Sequence, residues 1–330
     1  MVLSINVSAQ SRYTVANKFS IEGDAGWDYL TSDDSTGRLF VSHSTIVQVL
    51  DENTGKIVGT ISDTKGVHGI ALAQDLNKGF ISNGKDSSVT VFDLKTLATI
   101  EKVSVTGRNP DAILYDPFTQ RVFTFNAKSN NATVIDAKTD KVIGTIPLDG
   151  NPEFAVSDGK GHVYANIESK SKVDVIDPKS MTVLSQWSLD KGEEPSGLAL
   201  DNDHGYLFSV CDNKLMVILN ARDGRVVTTL PIGERVDGAA FDPTLQRAYS
   251  SNGDGTLTVV QEEANGKFSV LENVVTQRGA RTVTVNRKTH HVYLPTAEYN
   301  PAPEPTSDNP KPRPSVKAGT FVVLEVAPNK

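Results

Sequence analysis

The sequence predicts an all-β protein, a seven-bladed β-propeller with four antiparallel strands per blade. Three observations carry this. One short phrase returns seven times, beginning at Trp27, Val67, Pro110, Pro152, Pro195, Val236 and Ala280, at spacings of 40–44 residues. Between recurrences, apolar residues alternate over short runs bounded by turn-forming residues. The last unit stops after three strands, and an unassigned strand-like run precedes the first. A fixed period in this range is the signature of propeller blades.

Each unit opens on a short apolar strand, such as Gly197-Leu198-Ala199-Leu200, leading into an Asp turn, as in Tyr115-Asp116-Pro117 and Phe241-Asp242-Pro243. An alternating second strand follows, for example Arg38-Leu39-Phe40-Val41 or Arg121-Val122-Phe123-Thr124. The third strand reads Ala132-Thr133-Val134-Ile135-Asp136 or Val173-Asp174-Val175-Ile176-Asp177, and turns such as Asp51–Lys56 supply Asn and Gly for positive φ. The fourth is Val58-Gly59-Thr60-Ile61 or Val142–Ile146. The last unit ends in Phe321–Val326, and Tyr13–Ile21 supplies its missing strand. Pairing the two closes the ring and removes two exposed sheet edges. Residues 13–330 therefore form one domain, preceded by a tail over 1–12.

The phrases Arg-Val-Phe-x-x-Asn, x-Val-Ile-Asp-x-x-Thr, Val-Ile-Gly-Thr-Ile-Pro and Asn-Pro, best preserved from Arg121 to Pro152, resemble the YVTN-type β-propeller repeat family. The resemblance spans nearly the whole chain. It implies seven blades, frequent export and kinship with lactonase-like propellers, but no active site. Ile167, Cys211 and Thr296 replace the repeat's Asn, and Leu294-Pro295 interrupts the last copy. The Trp-Asp strand ending of WD repeats is absent, and two tryptophans, Trp27 and Trp187, are too few for a quinone-type dehydrogenase propeller.

Of 330 residues, 38% are hydrophobic and 22% charged, which excludes a disordered chain. With 33 Lys and Arg against 40 Asp and Glu, the net charge of −7 argues against a nucleic-acid partner. No run approaches a membrane span. The single cysteine, Cys211, excludes an internal disulfide, a Cys-x-x-Cys zinc site and covalent c-type haem. Val7-Ser8-Ala9 followed by Gln10 fits the small-residue rule for signal-peptide cleavage, so the tail reads as a signal remnant and the protein as periplasmic or secreted. A monomer is expected.

In a propeller, first strands line the central channel, so the repeat alignment converts into rings. The inner ring is Asp28, His68, Asp111, Glu153, Ser196, Asp237 and Arg281, expected to bind a small molecule, a peptide or a protein partner at the channel mouth. The next ring, at the end of strand two, contains His43, Asn83, Asn126, Cys211 and Asn252, besides Ile167 and Thr296. Crowded carboxylates must pair, protonate or hold a cation. No cofactor is demanded by a motif, but His68, Asp111, Glu153 and Asp237 offer the N and O ligands of a divalent metal. The bland alternatives are turn caps, channel water and a salt bridge between Arg281 and a ring carboxylate. Cys211, at an apolar strand end, reads as a buried, inert thiol.

The competing function is lactone or ester hydrolysis on the same face, with Glu153, His68 and Arg281 as catalytic candidates. No Gly-rich phosphate loop, His-Glu-x-x-His or Gly-x-Ser-x-Gly occurs. His290 and His291, adjacent in a strand, face opposite ways and cannot share an ion; His162 and His204 read as surface residues. The Pro-rich segment 297–318 is expected to be a stiff loop without a sheet partner, overhanging the same face as a lid or docking arm, or simply solvated.

Overall fold

Seven four-stranded antiparallel sheets make the ring, one per predicted unit. The computed structural model of the chain describes residues 12–23, 26–306, 310 and 312–329; most of the N-terminal tail, with its cleavage-like Val7-Ser8-Ala9-Gln10, lies outside them. The first blade contains Leu30–Asp33, Arg38–His43, Ile46–Asp51 and Ile57–Ile61. In the third, the strands are Pro110–Asp116, Arg121–Asn126, Asn131–Asp136 and Lys141–Pro147. First strands of successive blades pack side by side around the channel. Second and third strands carry most of the buried apolar surface, which packs between blades as separate clusters. Blade-to-blade connections and the turns between strands two and three share one face. The other two turns of each blade share the opposite face.

Ring closure follows the expected pattern. The last blade holds Thr284–Val285, Val292–Thr296 and Val322–Pro328, and Tyr13–Ser20 pairs antiparallel with Val322–Pro328 as its fourth strand. The closing strand is also pinned by side chains. The Tyr13 and Tyr249 hydroxyls lie 2.9 Å apart, and Arg247 Nη1 donates to the Tyr13 hydroxyl at 2.7 Å, joining blades 7 and 6.

The Pro-rich segment departs from expectation. Its stem pairs with itself, through a bridge between Tyr299 and Val316 and hydrogen bonds from Asn300 N to Ser315 O and Lys317 N to Glu298 O. Prolines 301–314 lie inside this stem, so the strand-like ends find backbone partners across the loop. Tyr299 packs edge-on against Trp27, which stacks on Phe321 at 5.3 Å.

Replacing Tyr13 removes both a buried ring and a two-bond clasp. Tyr13→Ala should cost about 3–5 kcal/mol, and denaturant unfolding should show it as a lower midpoint.

Candidate functional site

The inner ring is positioned by a repeated irregularity. In blades 2 to 6 the pairing of strands one and two shifts register at Val67/Ile70, Pro110/Ile113, Pro152/Ala155, Pro195/Leu198 and Val236/Gly238. His68, Asp111, Glu153, Ser196 and Asp237 sit inside these bulges, which re-aim a side chain away from the regular pleat. Backbone groups freed by the bulge are taken up by polar residues of strand two. Ser82 Oγ accepts from Gly69 N at 2.9 Å and donates to Asp111 O of the next blade at 2.5 Å. Asn166 Nδ2 donates to Ser196 O at 2.8 Å, and Ser251 Oγ to Arg281 O at 2.5 Å. Thr282 Oγ1 donates to Asp28 O at 2.6 Å, tying the last blade to the first. The ring positions are thus braced blade to blade.

Around the ring, neighbouring charges alternate. Arg281, on blade 7, pairs with Asp237 of blade 6 and with Asp28 of blade 1, its Nη2 lying 3.4 Å from Asp28 Oδ1. His68 Nδ1 donates to Asp28 Oδ2 at 2.6 Å and lies 3.5 Å from Asp111 Oδ1. The order Asp237, Arg281, Asp28, His68, Asp111 is therefore negative, positive, negative, positive, negative. Glu153 breaks it. Its ring neighbours are Asp111 and the neutral Ser196, whose hydroxyl donates to Val236 O.

Electrostatics register the break. Burial, then the charges of Asp111, Glu168 and Asp28, push the Glu153 carboxyl up to about 8. Burial likewise raises Asp111 to about 6, with Asp28 adding to it and His68 and Arg281 opposing. Burial alone would lower the His68 pKa. The Asp28 hydrogen bond and the charges of Asp111, Asp28 and Glu153 outweigh that and hold it above the usual value. Tyr29, a residue sequence reasoning passed over, is buried beside these groups. Burial and the charges of Asp111, Asp28 and Glu153 keep its phenol protonated. Its ring lies 5.3 Å from that of Phe154. Blades 1 and 4 face each other across the channel, so this contact spans it next to the ring. Gly84 makes room for the imidazole, since a Cβ there would lie 2.5 Å from His68 Nε2.

Of the four metal candidates, His68 and Asp111 group with Asp28, their ligand atoms all within 4.8 Å of one another, and Glu153 falls outside that group. Asp237 is instead committed to Arg281. The second ring is not exposed to the channel. Asn83, Asn126, Cys211 and Asn252 are fully buried, and His43 nearly so. Asn83, Asn126 and Asn252 each reach from strand two to a threonine of strand three, Thr90, Thr133 and Thr258, at 2.9–3.0 Å. His43 Nδ1 contacts Gln48 Oε1 at 2.8 Å. Burial pushes the Cys211 thiol up to about 12, in keeping with an inert side chain. His290 and His291 do diverge, to Asp242 and Glu325.

No family model matches the sequence. Antigen Lp49 of Leptospira interrogans is 26% identical over 220 residues, which is 50% of this chain and 48% of Lp49, so the chain spans about half of that protein. The uncharacterized protein YncE of Escherichia coli is 24% identical over 257 residues, 70% of each chain. Among solved structures, hydrazine synthase of Kuenenia stuttgartiensis aligns with a TM-score of 0.73 at 18% identity, over 83% of this chain and 94% of that one. The RRP9 WD40 repeats align with a TM-score of 0.78 at 8% identity, over 96% and 99%. At such identities the structural likeness concerns the fold. Among the described residues no helix is long and apolar enough to cross a membrane. The chain is a seven-bladed β-propeller similar in sequence to YncE and Lp49.

Proposed function

We propose that this propeller is a binding module whose channel mouth takes a cationic ligand, either a metal ion or an ammonium or guanidinium group of a small molecule or peptide. One observation carries the reading. Charges alternate around the ring until Glu153, which follows Asp111 with no cationic ring residue between them and a neutral serine beyond, and whose carboxyl is kept protonated by burial and the Asp111 charge. A ligand cation beside Asp111 and Glu153 completes the alternation. The Tyr29–Phe154 contact gives the site an aromatic floor, suited to an organic cation. We also assign the repeats to the YVTN type on Arg121–Pro152, and the protein to the periplasm or the exterior on Val7-Ser8-Ala9-Gln10. N-terminal sequencing of protein isolated from its own cells tests the latter, and a start at Gln10 supports it.

Lactone or ester hydrolysis draws less support from the same geometry. Arg281 is held by two carboxylates rather than free to anchor an anionic transition state. Glu153, held protonated at neutral pH, is a poor general base there.

Zinc, manganese, calcium, spermidine and arginine methyl ester, titrated calorimetrically into metal-free protein, test the site. At least one should bind the wild type and lose about 10-fold or more in both Asp111→Asn and Glu153→Gln. If every probe binds the variants as it binds the wild type, the site is wrong.

The same carboxyl predicts a pH dependence. Glu153 rises from an ordinary 4.5 to about 8 on folding, so between these values the folded chain holds a proton the unfolded chain has released. Its stability contribution therefore falls as pH rises through this window. The raised His68 acts in the same sense, its contribution being lost as pH rises through its folded value. The drop in melting temperature from about pH 5 to about pH 8.5 should shrink by about 2 °C or more in Glu153→Gln.

A further inference from the structure

On the face opposite the channel mouth, blades 1 to 6 each bury a residue at the end of strand three against the turn between strands one and two. In five blades its amide donates to that turn: Glu52 to Gly37 O, Leu94 to Asn77 O, Ala137 to Gln120 O, Ala221 to Gly205 O and Glu262 to Gln246 O. Blade 4 has Pro178 there. All are buried, so the position is built for an apolar side chain, and only blades 1 and 6 place a carboxylate in it.

Glu52 is satisfied on both oxygens. Ser32 Oγ donates to one and Asn286 Nδ2 of the preceding blade to the other, each at 2.6 Å. Glu262 occupies the matching place between blades 5 and 6, but its donors have been exchanged. Where blade 7 follows its first strand with Asn286, blade 5 ends its own in Asp201. Where blade 1 has Ser32, blade 6 has Phe241. Two buried carboxylates therefore face each other. Glu262 Oε2 is buried without any hydrogen-bond partner, although the side chain is only 5% exposed. An uncompensated buried carboxylate is costly. One further group reaches it. His204, in the strand-one to strand-two turn of blade 5, brings Nδ1 to 2.8 Å from both Asp201 Oδ2 and Glu262 Oε1.

We propose that Asp201, His204 and Glu262 form a site for a divalent transition-metal ion, zinc in the first instance, that staples blades 5 and 6 together. One imidazole nitrogen and two carboxylate oxygens suit such an ion rather than calcium or magnesium, which prefer all-oxygen shells. Ligand atoms of the three residues lie within 4.8 Å of one another, and no other such cluster besides the channel group occurs among the described residues. The orphaned Glu262 oxygen supplies the reason for an ion. An N–H of His204 cannot serve two carboxylates, whereas one dication can. His204 is 47% exposed and borders an open hollow of about 440 Å³, so the ion has an entry path and a solvent-facing coordination position. Burial, with Asp201's charge adding to it, raises Glu262 to about 7, so zinc would displace a proton there on binding.

The test titrates zinc into the metal-free full chain, in wild type and in a His68→Ala background that removes the channel imidazole. We expect one zinc per chain to remain in the His68→Ala protein, to raise its melting temperature, and to weaken about 100-fold or more when His204→Ala or Glu262→Gln is added. Glu262→Gln gives the Asp201 pair an amide donor, as Asn286 gives Glu52. It should therefore raise the melting temperature without metal, which shows that lost zinc binding is not lost folding. Zinc binding that survives both substitutions, or none up to about 1 mM in the wild type, overturns the site. In the latter case the pair is holding a shared proton instead.

Discussion

The channel-mouth site depends on closure of the ring by Tyr13–Ser20 against Val322–Pro328. The residues at the channel mouth are isolated in sequence, one per blade, and nothing local fixes their separations. Closure does. It makes blade 7 the neighbour of blade 1, so that Thr282 can hold Asp28 O and Arg281 can reach Asp28. An open array of the same blades would leave Arg281 with Asp237 alone and Asp28 with His68 alone. Closure also hides two sheet edges that would otherwise template association. Blade 7 contributes the shortest first strand, Thr284–Val285, so the pairing at its outer edge matters all the more. The Tyr13, Tyr249 and Arg247 clasp secures it from the adjacent blade.

Within blades, strand two divides its polar side chains between two tasks. Adjacent residues of a strand face opposite ways, and Ser82-Asn83 and Ser251-Asn252 exploit this. The serines brace a bulge and the ring residue of the next blade. The asparagines latch onto threonines of strand three. The buried amide nitrogens and hydroxyls of this layer find partners in one another, so it lies inside the fold with few unpaired groups, Asn83 Oδ1 being one. This explains why the repeat carries Asn at a position that never meets solvent. It explains equally why Cys211 and Ile167 are tolerated there as apolar substitutes.

The blade count, the strand pattern and the source of the closing strand were legible in the sequence because each rests on period and turn chemistry, which are local. The inner ring was legible too, since an alignment of repeats places one residue per blade at the channel. Its pairing was not. Nothing in the sequence says that Arg281 would take two carboxylates, or that Asp28 rather than Asp237 would join His68 and Asp111, because these depend on side-chain reach across a closed ring. The second ring was placed at the end of strand two by the same alignment, but nothing in the sequence says that its asparagine amides face strand three. The stem of the Pro-rich segment was missed because proline density masks the pairing residues on either side. His204 looked like a surface histidine, as its exposure bears out, yet its nitrogen faces inward. The signal was present in Glu262, a carboxylate where Leu94, Ala137, Pro178 and Ala221 stand in other blades.

A repeat protein brings equivalent positions of neighbouring blades into contact, so a charge at one position is judged by what the next blade puts beside it. Most such meetings here are resolved within the chain: Arg281 between Asp237 and Asp28, His68 between Asp28 and Asp111, Glu52 between Ser32 and Asn286. Two are not. At Glu153 the ring runs out of cations, and at Glu262 the donors that serve Glu52 have become Asp201 and Phe241. A fold under selection for stability alone has an inexpensive remedy in both places, a single amide for a carboxylate, and the chain already uses that remedy at Asn286. Retaining the carboxylates leaves a folded protein that a cation can stabilise further, by binding the native state and not the unfolded one. The two breaks would select differently. Glu153 lies in a half-buried cup beside an aromatic pair, where shape and an apolar floor can discriminate among organic cations. Glu262 lies at a rim with three converging ligand atoms and open solvent, where coordination chemistry decides.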